Sequence, residues 1–219
     1  MLKVHHKSFT VVYWRAMPGI LTDSSIIAAV KAGDIQISPW NPEQINPTSY
    51  DVTLGDEVGV YEEWVHCYER EQTTHEDGRN FCIREAVLDV QREPTVKKFT
   101  MNKGRGWLLK PGIGYLMHTA ERISTSEYVP ILDGKSSIGR LFLQIHVTAG
   151  YGDPGFDGQY TLEVVVTHPI RIYPGMRIGQ IRFHTLEGAV ERPYTQTGHY
   201  QGEKAYGPVG SQAFKQFLK

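Results

Sequence analysis

Apolar and polar residues alternate along this chain in many short runs, and helical spacing is confined to a few places. The clearest runs lie within residues 133–166. In the first, Leu141, Leu143, Ile145 and Val147 share one parity, and Phe142, Gln144 and His146 the other, which is the period of a half-buried strand. A loop rich in Gly, Asp and Pro follows from 149 to 158. The second run sets Tyr160, Leu162, Val164 and Val166 against Gln159, Thr161, Glu163 and Val165. Shorter strands are predicted at 34–38, 50–55, 57–61, 107–109, 115–118, 128–132 and 170–172. Met176 and Ile178 share one parity while Ile181 and Phe183 share the other. The switch at Gly179-Gln180 predicts a β-bulge that aims the Gln180 side chain.

Helical signals are few. Thr22-Asp23-Ser24-Ser25 reads as an N-cap region, Ile26, Ile27 and Val30 as an apolar stripe, and Gly33 as a stop. Residues 212–218 read as a closing short helix, and 81–90 as a strand or short helix. Residues 1–18 read as a strand or arm, and 188–210 as an ordered arm or a mobile flap. Many short strands with Pro/Gly turns and little helix predict a mostly-β barrel or a jelly-roll-like sandwich.

Length and composition narrow this picture. A chain of 219 residues is long enough for one domain with a real core. Residues 62–104 hold dense charge and a polar tract, too few apolar positions for a separate core, so they read as a hairpin with a long excursion. No apolar run approaches the roughly 18 residues that span a bilayer, and the N-terminal stretch lacks the apolar core of a secretory signal. A net charge of −1 argues against a nucleic-acid binder. Cys67 and Cys82 make no disulfide framework, which points to a reducing cytoplasm.

Two tempting motifs fail. Gly134-Lys135-Ser136 ends like a phosphate-binding P-loop, but Val129 stands where that motif needs its first Gly. His75-Glu76 with Cys67 and Cys82 lacks the His-x-Glu and Pro-Cys-x-x-Cys of the zinc deaminases, so no zinc is expected. The unusual feature is instead a carboxylate, Glu163, inside a strand and beside a loop carrying Asp153 and Asp157. Interior strand carboxylates are uncommon because desolvating a charge is costly. By itself Glu163 reads more simply as a solvent-facing glutamate, or as the ion-pair partner of Arg140 or Lys135.

A larger set of motifs changes that reading. Lys135-Ser136-Ser137-Ile138-Gly139-Arg140, His146-Val147-Thr148-Ala149-Gly150, Asp153-Pro154-Gly155-Phe156 and Thr161-Leu162-Glu163 resemble the dCTP deaminase branch of the dUTPase superfamily. Gln44-Ile45-Asn46-Pro47-Thr48-Ser49-Tyr50-Asp51 with Leu54-Gly55 is similar to that family's N-terminal signature. Pro174-Gly175-Met176-Arg177-Ile178-Gly179-Gln180 is similar to its later hairpin. These pieces cover well over half the chain in the family's order. The resemblance implies a dUTPase-like distorted jelly-roll or β-barrel with one short N-terminal helix and a C-terminal arm. The whole chain, 1–219, is then a single domain, with 1–18 as an extension, 62–104 as a variable hairpin and 188–219 as the arm.

The resemblance also implies roles. Glu163 is the catalytic carboxylate of a zinc-free deamination of dCTP, moving protons while water attacks C4 and ammonia leaves. Ser136 and Arg140 orient base, water and triphosphate. Lys135, Ser137, Ile138 and Gly139 complete the phosphate turn. Ala149, Gly150, Thr161 and Leu162 line the base side, and Gln180 contacts nucleotide. Asp153 meets the deoxyribose hydroxyl and activates water for phosphate hydrolysis. In the arm, Tyr194 and Tyr200 match, but His199 and Glu203 stand where the family carries Lys and Gln, which leaves Lys204 for the cationic role. Gly150 after Thr148-Ala149 places the chain with members that convert dCTP to dUMP and diphosphate, where members releasing dUTP carry a bulky His. The expected partners are dCTP with its Mg²⁺, dUTP or dTTP as product or inhibitor, and two further copies in a homotrimer with shared sites. The alternatives are a deaminase that releases dUTP, a dUTPase without deamination, and a catalytically weak nucleotide sensor.

Overall fold

The computed structural model describes residues 19–62, 87–202 and 206–218. The strands are β1 (Gln36–Ser38), β2 (Ile45–Asn46), β3 (Ser49–Thr53), β4 (Glu57–Tyr61), β5 (Val96–Thr100) and β6 (Trp107–Leu109), then β7 (Tyr115–Ser124), β8 (Tyr128–Gly134), β9 (Leu143–Gln144), β10 (Asp157–Val166), β11 (Ile170–Ile172) and β12 (Arg177–Thr185). One sheet has the order β5-β4-β7-β10-β9, with β1 also paired to β7; a second has the order β2-β3-β12-β8; β6 and β11 form a third. The expected mostly-β fold is therefore the observed one.

The helix α1 (Asp23–Ala32) buries Ile26 and Ala29 and ends at Gly33, whose φ of 86° lies in the left-handed region where a side chain is costly. Thr22 occupies the N-cap position without a side-chain hydrogen bond to the backbone. Instead the Ser24 N–H donates to Asp23 Oδ1 at 2.7 Å.

The core sits between the two larger sheets. Val58, Met117, Ile123, Leu162, Ile181 and Phe183 are all fully buried there. Along β10 burial alternates without a break: Tyr160, Leu162, Val164 and Val166 face the core, and Gln159, Thr161, Glu163 and Val165 face outward. Its partner β7 runs to Ser124, well beyond the four residues expected from pattern alone. The two strands pair antiparallel from Asp157↔Ser124 to Val164↔Tyr115, which places Glu163 opposite Leu116.

Three expectations need correction. The run 141–147 is not one strand. A helical turn, Ser136–Gly139, is followed by hydrogen bonds from Leu141 N–H to Ile138 O and from Phe142 N–H to Gly139 O. Phe142 then takes φ 55°, a strained value for a bulky residue. Only Leu143 and Gln144 join the sheet, so Leu141 and Val147 stay exposed although their parity matches buried Leu143 and Ile145. The bulge in β12 falls one residue earlier than expected: Arg177 pairs with Thr53 and Gly179 with Val52, which leaves Ile178 as the extra residue. Finally, β3 does not alternate, because Ser49, Tyr50, Asp51 and Val52 are all buried.

β4 pairs antiparallel with β5, from Glu57↔Thr100 to Tyr61↔Val96. Most of the excursion, residues 81–86 of the expected strand or helix, and residues 1–18 lie outside the described residues, while 87–90 carry no strand or helix. The closing helix is a 3₁₀ turn, Ala213–Phe217.

Leu162 is fully buried between the sheets, so Leu162→Ala is expected to cost about 2–5 kcal/mol. A urea titration should show a lower midpoint with an unchanged slope.

Candidate active site

Glu163 is held at both ends by the segment that leaves β9. Its N–H donates to Ile145 O at 3.0 Å, as an extension of the β9–β10 ladder. Two residues on, the Val147 N–H turns from the backbone ladder and donates to Glu163 Oε2 at 3.0 Å. A backbone donor to a carboxylate is a charge-assisted bond, and it fixes one oxygen. Lys135, one of the cations that Glu163 alone could have paired with, is bound to Asp51 instead.

Glu163 opens onto a cavity of about 560 Å³. The outward side chains of β10, Gln159, Thr161, Glu163 and Val165, form one wall with Tyr115 and Leu116 of β7. The loop carrying Val147, Ala149 and Asp153 forms another, and Tyr194, Tyr200, Val209 and Ser211 of the C-terminal arm cover the top. The volume suits a ligand of drug size, and among the described residues its wall carboxylates are Glu163 and Asp153.

The arm is tied down by aromatic contacts and backbone hydrogen bonds. The Phe156 ring meets Tyr160 edge-on at 4.9 Å and Tyr194 at 5.7 Å. Tyr194 OH accepts from the Tyr200 N–H at 3.3 Å, and Tyr200 OH accepts from the Gln212 N–H at 3.0 Å. Gln201 Nε2 donates to Gly155 O, and the Gly207 N–H donates to Gln159 Oε1. Burial pushes both the Tyr160 and Tyr194 hydroxyls above the ordinary tyrosine range, with the nearby Asp153 charge adding to it. Both therefore stay protonated and remain available as donors.

Of the residues singled out by sequence, Glu163, Asp153, Ala149, Thr161, Tyr194 and Tyr200 line this one cavity. Leu162 and Ile138 point their side chains into the core, so any contact they make is through the backbone. Gly150 is buried behind Ala149: a Cβ there would lie 2.4 Å from Leu132 O and 3.1 Å from His146 Nε2. The close backbone approach excludes any larger residue without movement of the loop. Ser136, Ser137, Gly139 and Arg140 are exposed on the turn after β8 and do not line the cavity of the same chain. Gln180 also lies apart, accepting from Ser49 Oγ at 3.3 Å. Lys204 and Glu203 lie outside the described residues. One chain thus carries two separate groups of candidate residues.

Sequence reasoning missed the Val147 amide and the Phe156–Tyr160–Tyr194 cluster, since neither a backbone donor nor an edge-on ring contact leaves a pattern in spacing. It also missed the Asp133 cluster. Among the described residues no three His, Cys, Asp or Glu side chains converge as a metal cluster, and no helix is long and apolar enough to cross a membrane.

Asp133, on β8 opposite Gln180, bonds Arg182 and lies 3.6 Å from His146 Nε2. Burial works against its ionisation, but the Arg182 guanidinium and then His146 outweigh it and hold the carboxyl below its ordinary range. A depressed carboxyl contributes stability that is present above the unfolded pKa of about 3.9 and is lost as pH falls through the folded value. Asp133→Asn should therefore melt below wild type at neutral pH. The difference should close as the pH drops below about 4, followed by circular dichroism.

Comparison with known proteins adds to this geometry. The family model described as dCTP deaminase-like matches residues 20–186. A protein of Hathewaya histolytica named dCTP deaminase, dUMP-forming, is 42% identical over 184 residues, 84% of this chain and 91% of that one. Proteins of the same name from Leptospira biflexa and Clostridium acetobutylicum are 36% and 40% identical, over 91% and 84% of this chain and 99% and 91% of theirs. The crystal structure of 2'-deoxycytidine 5'-triphosphate deaminase from Agrobacterium tumefaciens superposes with a TM-score of 0.55 at 21% identity. It covers 80% of this chain and 51% of that one, and shows a shared fold. With the motifs of 135–163 in place on β10 and the turn after β8, this chain belongs to the dCTP deaminase-like family.

Proposed function

We propose that this protein hydrolyses dCTP at C4 of the base and carries the product on to dUMP, releasing ammonia and diphosphate. The observation that carries the reading is the meeting of Glu163, Asp153 and Ala149 in one arm-covered cavity. It is supported by relatives named dCTP deaminase, dUMP-forming, at 36–42% identity. Gly150 agrees with the dUMP-forming branch, since its surroundings leave no room for a bulky residue.

In this reading water adds to C4 while Glu163 takes its proton and passes protons to N3 and to the departing amine. The Val147 amide keeps one carboxylate oxygen fixed, so the other is directed at the water. Deamination leaves a uracil ring. A second water then attacks the α-phosphorus, the α–β phosphoanhydride bond breaks, and Asp153 receives the proton. The reaction thus consumes two waters and yields dUMP, diphosphate and ammonia. Bound with the triphosphate, Mg²⁺ would supply charge neutralisation there, and Asp153 and Ser211 present oxygen donors that would suit such a hard, largely hydrated ion.

The second group of residues reaches a cavity from another copy. Leu141 and Phe142, just after the turn, and Val147 and Tyr151, at the cavity, expose 48–64% of their surface. An apolar patch of this kind on an oligomeric enzyme is covered by a neighbour. A homotrimer would bring Ser136, Arg140 and Gln180 of one copy to the Glu163 cavity of the next, in an enzyme of the cytoplasmic nucleotide pool.

Incubation with dCTP and Mg²⁺ should give ammonia and dUMP without free dUTP, resolved by ion-exchange chromatography. Accumulating dUTP would make it a deaminase alone, and no turnover would end the proposal. Glu163→Gln should lower ammonia release by at least about 10²-fold while nucleotide still binds. Light scattering should return three times the 24.8 kDa chain mass; a monomer would contradict the shared site.

A further inference from the structure

The N-terminal signature 44–51 touches no part of the cavity, yet it holds a fully buried charge beside the second residue group. The Asp51 side chain is 0% exposed. Its oxygens accept from Lys135 Nζ at 2.9 and 2.7 Å, from Asn46 Nδ2 at 2.8 Å and from Arg177 Nη1 at 3.4 Å. Asp51 lies on β3 and Lys135 directly follows β8, and β12 runs between those strands. The lysine therefore crosses β12 to reach the carboxylate. Lys135 is also the residue from which the turn starts: its carbonyl accepts from the Ile138 and Gly139 N–H groups, and it stands at the N-cap of Ser136–Gly139. The same strand pairing sets Gln180 opposite both Asp51 and Asp133.

A fully buried carboxylate held by partly exposed cations is weak evidence for stability alone, since apolar residues of similar size serve as well or better in such a place. What it does supply is a fixed position. We propose that Asp51 is a positioning residue for the phosphate-binding turn: it anchors Lys135, and through Lys135 it sets where Ser136 and Arg140 stand. Lys135 then acts on the nucleotide through this anchor, with its charge already committed to Asp51. The assignment rests on the proposed function, because it takes this turn as the triphosphate side of the site.

The sign of one substitution separates this role from simple electrostatics. Asp51→Asn keeps the shape and removes a negative charge from beside the turn. On charge alone, dCTP should bind more tightly. On the positioning role, the Kd and KM for dCTP should rise about tenfold while the Kd for deoxycytidine, which has no phosphates, stays within about twofold. Unchanged or tighter dCTP binding by the folded variant would overturn the assignment. Lys135→Met, at a partly exposed position, tests it independently of how Asp51→Asn folds. Its loss of dCTP affinity should be equal at about 0.05 and 0.5 M salt. A loss that disappears at high salt marks a charge resting directly on the phosphates and also overturns the assignment. A wild-type protein that binds dCTP without releasing ammonia would refute the catalytic reading and leave these binding comparisons in force.

Discussion

The antiparallel pairing of β10 with β7 is the constraint on which the site depends. It places ten residues of β10 in strict alternation, one face in the core and the other in the cavity. Leu162 and Val164 anchor the strand from below, and that anchoring decides that Glu163 points the other way. A one-residue slip would bury the carboxylate and expose the core residues. The position of the carboxylate is thus set by hydrophobic burial and not by a bond of its own. Its orientation is set by Val147, where the chain leaves the sheet.

Around this pairing the molecule divides its polar work. Next to the cavity, carboxylates keep access to solvent or ligand, as Asp153 does, and desolvation raises the hydroxyls of buried Tyr160 and half-buried Tyr194 further above neutral pH. Behind the turn, Asp51 and Glu121 are buried outright and fully bonded. Glu121 accepts from Gln44 Nε2, the Thr53 N–H and Thr53 Oγ1. Buried carboxylates without partners would be costly. With these partners they lock β2, β3 and β7 to one another and to the turn that follows β8.

Legibility followed how local each cause was. Alternation revealed β10, because burial of one face is written in every second residue. The helix 23–32 was legible from its apolar stripe and the glycine that stops it. The run 141–147 misled because its alternation is real but its backbone is not extended: a helical turn and the positive φ of Phe142 break the strand before the pattern does. The failure at β3 has the opposite cause. Asp51 looks like a polar, outward position in a half-buried strand, and only a lysine from across β12 makes its burial possible. The motifs of 135–163 singled out candidate residues, yet their grouping into a cavity set and a separate turn set was invisible in their order.

The sequence by itself determined the mostly-β character, the strand that carries Glu163, the family, and the list of candidate residues. Those follow from periodicity and from motif spacing, which are properties of neighbours along the chain. Tertiary structure alone decided that Glu163 is gripped by the Val147 amide, that Gly150 has no room for a side chain, and that Lys135 belongs to Asp51. Each of these joins residues 16 to 84 positions apart, or a side chain to a backbone group. Such contacts arise only when burial has brought distant strands together and every desolvated charge must find a partner.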